Sequence, residues 1–98
     1  MLRVLAAARQ DVADIWRYTA KTWGIAQADR YTDSIERAFE ALAASPQIAR
    51  ERTEFNPPVR INQSGQHIIV YMTDGKDVIV VRVLGAKQNW QAILGNAD

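Results

Sequence analysis

Arg82 is the first residue of this 98-residue chain to require a chemical explanation. It stands inside the apolar run Asp77-Val-Ile-Val-Val-Arg-Val-Leu84. A charge there must pair with a carboxylate, reach water along its aliphatic stem, or serve a ligand. The ligand alternative joins it to Arg60 across a sheet as a concave basic patch, because a guanidinium holds phosphate through a bidentate fork. Trp90 follows the polar Lys87-Gln-Asn and either caps a sheet edge or anchors a protein contact, where tryptophan is enriched among hot spots. Arg50, Arg52 and Lys87 are solvated charges by default, able to meet acidic residues of a partner at a rim.

Other reactive groupings are weaker. His67 is the sole histidine, and Ser64 precedes it by three residues. Ser64-Gly-Gln-His reads as a turn entering a strand rather than as a nucleophile and its base. One histidine and scattered carboxylates form no metal-ligand set of familiar spacing, and no glycine loop is built to cradle phosphate, so no metal or cofactor is expected. Asp11 and Asp14 share a helix face and read as first-turn carboxylates that complement the helix dipole. The chain has no cysteine, which excludes disulfides and thiol catalysis and fits a reducing cytoplasm. Twelve basic against eleven acidic residues leave a net charge of +1, so any basic site is local and no broad nucleic-acid surface is implied. No apolar run approaches the roughly 20 residues that span a bilayer, so no membrane association is expected.

The elements that must position these groups follow from periodicity. The length suits one domain, residues 1–98. Leu2 to Leu5 reads as a short strand. Val12, Ile15, Trp16, Thr19 and Trp23 lie at helical spacing from about Ala8, and Gly24 is a natural residue to follow the helix end. Ala28, Tyr31, Ile35, Ala38, Phe39 and Leu42 form a second stripe from about Ala26 to Ala44, which Ser45-Pro46 stops. A connector this short makes an antiparallel helical hairpin. Residues 47–58 look irregular. Val59 to Asn62, His67 to Thr73 and Asp77 to Leu84 read as strands, the last two joined through Asp74-Gly75 as a type I′ turn. Trp90 to Leu94 is a final helical turn or an extended tail. The class is α+β: a helical hairpin packed on a small antiparallel sheet.

Strict alternation puts Val78, Val80, Arg82 and Leu84 on one face of the last strand and Ile79, Val81 and Val83 on the other. Its neighbour divides into Ile68, Val70 and Met72 against Ile69 and Tyr71. Both faces are apolar, whereas one helical hairpin covers one face. A partner protein is the economical cover for part of the second.

The residues Asp14-Ile-Trp-Arg-Tyr18, Trp23-Gly24, Ala28, Tyr31, Phe39, Leu42, Ser45-Pro46, Val59-Arg60, His67-Ile-Ile-Val-Tyr71 and Arg82-Val-Leu84, with Trp90 and Leu94 trailing, resemble in order and spacing the RelE/ParE superfamily of bacterial toxins, and in detail ParE. The resemblance covers nearly the whole chain. It implies the toxin half of a toxin–antitoxin pair that stalls DNA gyrase on cleaved DNA. It also implies a cognate ParD-like antitoxin, which wraps its C-terminal segment around the toxin in a hetero-oligomer, and no sequence-specific DNA binding by this chain. RelE-type relatives instead cut messenger RNA on the ribosome, with arginines at the positions of Arg60 and Arg82 holding the scissile phosphate. Cleavage through a 2′-hydroxyl also needs proton-transfer groups. After Arg82 this chain has neither His nor Tyr, and Gly85 stands where ParE-like chains often have a histidine. The expectation is therefore a toxin that binds rather than cuts, with Arg60, Arg82, Lys87 and Trp90 near the target or antitoxin surface and no catalytic residue. The alternatives are a RelE-like endonuclease and a non-toxic antitoxin-binding module.

Overall fold

Apolar periodicity in the first half becomes two long helices. The computed structural model describes residues 1–95, with α1 at Ala6–Trp23 and α2 at Ile25–Ala44. Gly24 alone joins them at φ +98°, a conformation that a side chain would strain. Its N–H donates to the Ala20 carbonyl and its own carbonyl accepts from the Ala28 N–H, both at 3.0 Å, so the connection is tied into both helices. Because α1 begins at Ala6 among strong helix formers, Asp11 and Asp14 fall beyond the first turn. Neither is the first-turn carboxylate expected. Thr19 is buried, as the stripe requires, but Trp23 at the end of that stripe is exposed.

The rest of the chain builds one sheet. Strands β1 (Leu2–Val4), β2 (Glu51–Arg52), β3 (Val59–Ser64), β4 (His67–Asp74) and β5 (Asp77–Gly85) take the order β1-β5-β4-β3-β2. β1 runs parallel to β5, and the other neighbours are antiparallel. The β4–β5 turn differs from the type I′ expectation. Asp74 pairs with Asp77, so the central residues are Gly75 and Lys76. Only Gly75 has positive φ (+60°), the pattern of a type II′ turn with glycine first. Gly65 opens the β3–β4 turn in the same way, at +59°.

Strict alternation also fails once. Val70 pairs with Arg82 while Tyr71 pairs with Val80, leaving Val81 as an extra residue in β5. A bulge shifts the side-chain parity of everything after it. Val78, Val80 and Val83 therefore join Ile69, Tyr71, Ala8, Ile35, Phe39 and Leu42 in the core under the helices, whereas Leu84 lies in the opposite cluster. The expected grouping of Val80, Arg82 and Leu84 on one face is overturned.

The second face is not left to a partner alone. Val59, Ile68, Val70 and Leu84 form a second buried cluster there, and the chain lays its own Phe55, Ala86, Trp90 and Leu94 on it. Phe55 belongs to the stretch read as irregular. Trp90 and Leu94 belong to a short helix α3 (Trp90–Gly95). The Phe55 and Trp90 rings lie 6.2 Å apart, and the Arg52 guanidinium sits 5.9 Å from each. Arg52 is thus partly buried against two rings and bonded to Glu54 at 2.8 Å, rather than fully solvated. Trp90→Ala should consequently destabilise the isolated chain by about 1–3 kcal/mol in urea unfolding, below the fully buried value because the ring is half exposed. A tryptophan that served only a partner would leave the midpoint unchanged.

Candidate functional site

Arg82 is paired within the fold, across 71 residues of sequence. Its Nε and Nη2 donate to the two carboxylate oxygens of Asp11 at 2.7 and 2.9 Å. The same carboxylate accepts the Val83 backbone N–H at 2.9 Å. The local topology explains this arrangement. β1 ends at Val4, and its last bond to β5 is from the Leu5 N–H to the Val80 carbonyl. Beyond that point the β5 edge has no strand neighbour, and the Val83 N–H would be left unpaired. α1 runs back over this edge and presents Asp11 to it. The side chain of Asp11 is 13% exposed and that of Arg82 34%, so the pair is shielded on its acidic side. Asp11 holds the guanidinium still more firmly in its charged form.

The four residues singled out in the sequence do not converge. Arg60 lies on β3, opposite Tyr71, and its Nη1 donates to the Ala49 carbonyl at 2.6 Å. Its Nε is buried without a hydrogen-bond partner. Arg60 and Arg82 stand on strands separated by β4, and their heads go to different partners. Lys87 is exposed just after β5 and forms no ion pair among the described residues. Trp90 packs under the sheet.

His67 has a partner that periodicity alone hides. Its Nδ1 lies 2.6 Å from the Tyr31 hydroxyl, which also accepts the Gln66 N–H at 3.0 Å. Burial holds the His67 pKa below its ordinary value, favouring a neutral ring that accepts the Tyr31 proton. The pair staples α2 to the β3–β4 turn. Tyr71, four residues along β4 and so about 13 Å away, donates instead to the Pro46 carbonyl at 3.0 Å. Burial pushes the Tyr71 hydroxyl pKa up and keeps its proton in place. No histidine, tyrosine and arginine therefore meet as a phosphate site with proton-transfer groups among the described residues, which also contain no cluster of metal-ligand side chains.

What the fold does offer is a groove. Between α1, α2 and β1 lies a cleft of about 420 Å³ with Leu2, Val4, Val12, Ala13, Trp16 and Phe39 along it and Arg9, Glu36 and Glu40 at its edges. Trp16 is fixed in place, since its Nε1–H donates to Asp29 of α2 at 2.9 Å. An apolar floor with charges of both signs along the rim suits a segment of protein chain. Phe39 is buried in the core, as its stripe on α2 suggests, whereas Trp16 is only half-buried. Helical spacing cannot tell a core stripe from a stripe that lines a groove.

Residues 2–90 match the family described as ParE toxin of type II toxin–antitoxin system, parDE. Toxin ParE1 of Mycobacterium tuberculosis is 37% identical over 79 residues, covering 80% of this chain and 81% of that protein. Toxin ParE1 of Caulobacter vibrioides is 31% identical over 93 residues, covering 95% and 96%. Among solved structures, a chain of the chromosomal ParDE TA system from P. aeruginosa superposes with a TM-score of 0.77 at 17% identity, covering 88% of this chain and 95% of that one. The structural match is one of fold.

Two expectations follow from the site. Asp11→Ala strands both the Val83 N–H and the Arg82 guanidinium, and should cost about 1–3 kcal/mol of unfolding free energy, with Arg82→Ala costing less because that side chain is partly solvated. Equal stability of all three proteins in urea would show the pair to be a mere surface contact. For His67, the native pKa lies below the unfolded value of about 6.5, so the unfolded chain binds more protons in the window between them and stability falls as pH drops through it. A plot of melting temperature against pH should slope less between about pH 5 and 7 for His67→Phe than for the natural chain, because that variant has no imidazole to titrate.

Proposed function

Because this chain belongs to the ParE toxins of type II toxin–antitoxin systems, we propose that it arrests growth by binding DNA gyrase and trapping it on cleaved DNA. In this reading a ParD-type antitoxin keeps it silent, and the chain works by binding and not by its own catalysis. The single observation that carries the reading is the fate of the two arginines. Arg82 is held by Asp11 through both donors, and Arg60 donates to the Ala49 carbonyl. A nuclease needs its guanidinium groups directed at a scissile phosphate, with a proton-transfer group beside them. Here Gly85 follows Leu84, and the next aromatic residue, Trp90, cannot exchange a proton.

The groove supplies the antitoxin half of the proposal. An amphipathic segment would set its apolar side chains on Val12, Trp16 and Phe39 and its polar ones against Arg9, Glu36 and Glu40. Rim charges of this kind speed encounter and set register more than they add affinity. Among the described residues no helix is long and apolar enough to cross a membrane.

Expression of the chain without an antitoxin should produce filamented cells with an induced DNA-damage response, and co-expression of the antitoxin should restore growth. The purified chain should inhibit supercoiling by DNA gyrase and accumulate cleaved DNA, while messenger RNA stays intact. Rapid loss of translation with cut messages would replace this reading by the ribosome-dependent endonuclease. No growth defect at all would leave an antitoxin-binding module.

A further inference from the structure

The groove between α1, α2 and β1 is acidic along one wall. Asp29, Asp33, Glu36 and Glu40 follow one another on α2 at steps of four, three and four residues, which sets all four on one face of the helix. Glu36 and Glu40 line the groove, and Asp29 accepts the Trp16 Nε1–H at 2.9 Å. All four residues are exposed, and none forms an ion pair among the described residues. Like charges three and four residues apart repel each other and weaken a helix. The fold leaves this repulsion unrelieved, because Arg30 and Arg37 of α2 lie about a quarter turn away round the helix.

β1 limits the form of what can lie in the groove. The Leu5 N–H donates to the Val80 carbonyl, so the Val4 carbonyl on the same peptide points away from β5, toward the outer edge of the sheet. Arg9 already holds that carbonyl through its Nε at 3.1 Å. A strand added here would find an edge of three residues with one outward acceptor taken. A helix needs no such edge, because its backbone bonds are internal. The groove offers it an apolar seat of Val12 and Trp16 from α1 and Phe39 from α2, suited to apolar side chains at i, i+4 and i+7. From Asp29 to Glu40 the acidic ladder rises about 16 Å, roughly three turns of a helix laid beside it.

We propose that the groove takes an amphipathic helix with lysine or arginine along the flank that faces α2, so that the antitoxin segment bound there is locally basic. This rests on the antitoxin reading above, to which it adds the shape and the charge of the bound segment. Charge complementarity selects the occupant. Four carboxylates without ion pairs beside an apolar floor attract a basic segment and repel an acidic one, and a basic partner also relieves the repulsion within α2. Nucleic acid has the wrong sign for this wall. A second copy of the chain is disfavoured because its helices turn their apolar stripes onto its own sheet. The apolar seat supplies most of the affinity, and the rim charges decide which segment is accepted.

The test uses the full chain and two synthetic peptides of about 20 residues with the same apolar stripe, one flanked by lysine and the other by glutamate. In calorimetry the lysine peptide should bind at least about tenfold more tightly, and the difference should shrink as salt rises from about 0.05 to 0.5 M. Asp33→Asn/Glu36→Gln/Glu40→Gln should erase most of that preference. The same variant should keep or raise the melting temperature, because it removes repulsion and leaves Asp29 on Trp16. Ala13→Gln, which fills an exposed position lining the groove, should weaken both peptides severalfold. Binding should raise the helical circular dichroism signal. Equal binding of the two peptides, tighter binding of the glutamate peptide, or binding of neither would overturn the basic-helix proposal and leave the antitoxin reading standing. So would lysine-peptide binding that Ala13→Gln does not weaken, or that adds strand signal in place of helix. An antitoxin that does not restore growth on co-expression would overturn the antitoxin reading itself, and the proposal with it.

Discussion

Strands β4 and β5 are apolar on both faces, so neither side of the sheet can be left to water, and each other element is placed by that constraint. Ile69, Tyr71, Val78 and Val80 are essentially inaccessible beneath the two helices, and Ile68, Val70 and Leu84 are buried from below. Each such side chain contributes about 1.5–3 kcal/mol relative to exposure, and several of them offset much of the ordering cost of a chain this short. A two-layer fold with only one helical hairpin must find its second cover elsewhere. This chain takes part of it from Phe55, Trp90 and Leu94.

The edges of the sheet present a second constraint, and the solutions differ at its two ends. β2 is only two residues long, which limits what could pair with it. At the other end β1 covers only part of β5, and Asp11 completes the edge by accepting the Val83 N–H. The bulge at Val81 lies just before this point. It turns Val83 into the helix-side core and coincides with the place where Arg82 leaves the sheet toward α1. The arginine inside an apolar strand is thereby explained as half of an edge-capping pair.

Arg60 and Arg82 are both engaged within the fold. Among the described residues, open apolar surface includes the groove between the helices and β1 and the tip of the hairpin. The groove is the one to which the proposed reading assigns the antitoxin.

The positions of α1, α2, β1, β3, β4 and β5, the glycine at the hairpin tip, the two-faced apolarity of β4 and β5 and the ParE likeness were legible in the amino-acid sequence, whereas the two-residue strand β2 fell in a stretch read as irregular. Each depends on spacing between near neighbours, which a one-dimensional pattern carries in full. The Val81 bulge was invisible because one extra residue in a run of valines leaves no compositional mark. The bond from Asp11 to Arg82 joins positions 71 apart, and nothing in either neighbourhood specifies the other. Helical spacing put Trp16 and Trp23 on one stripe and Phe39 on another, yet Phe39 is buried, Trp16 half-buried and Trp23 exposed, because spacing gives direction and not depth. Whether a side chain on that stripe is core, groove or exposed tip depends on where the sheet ends beneath it, and only the tertiary packing of β1 and β5 against the helices decides that.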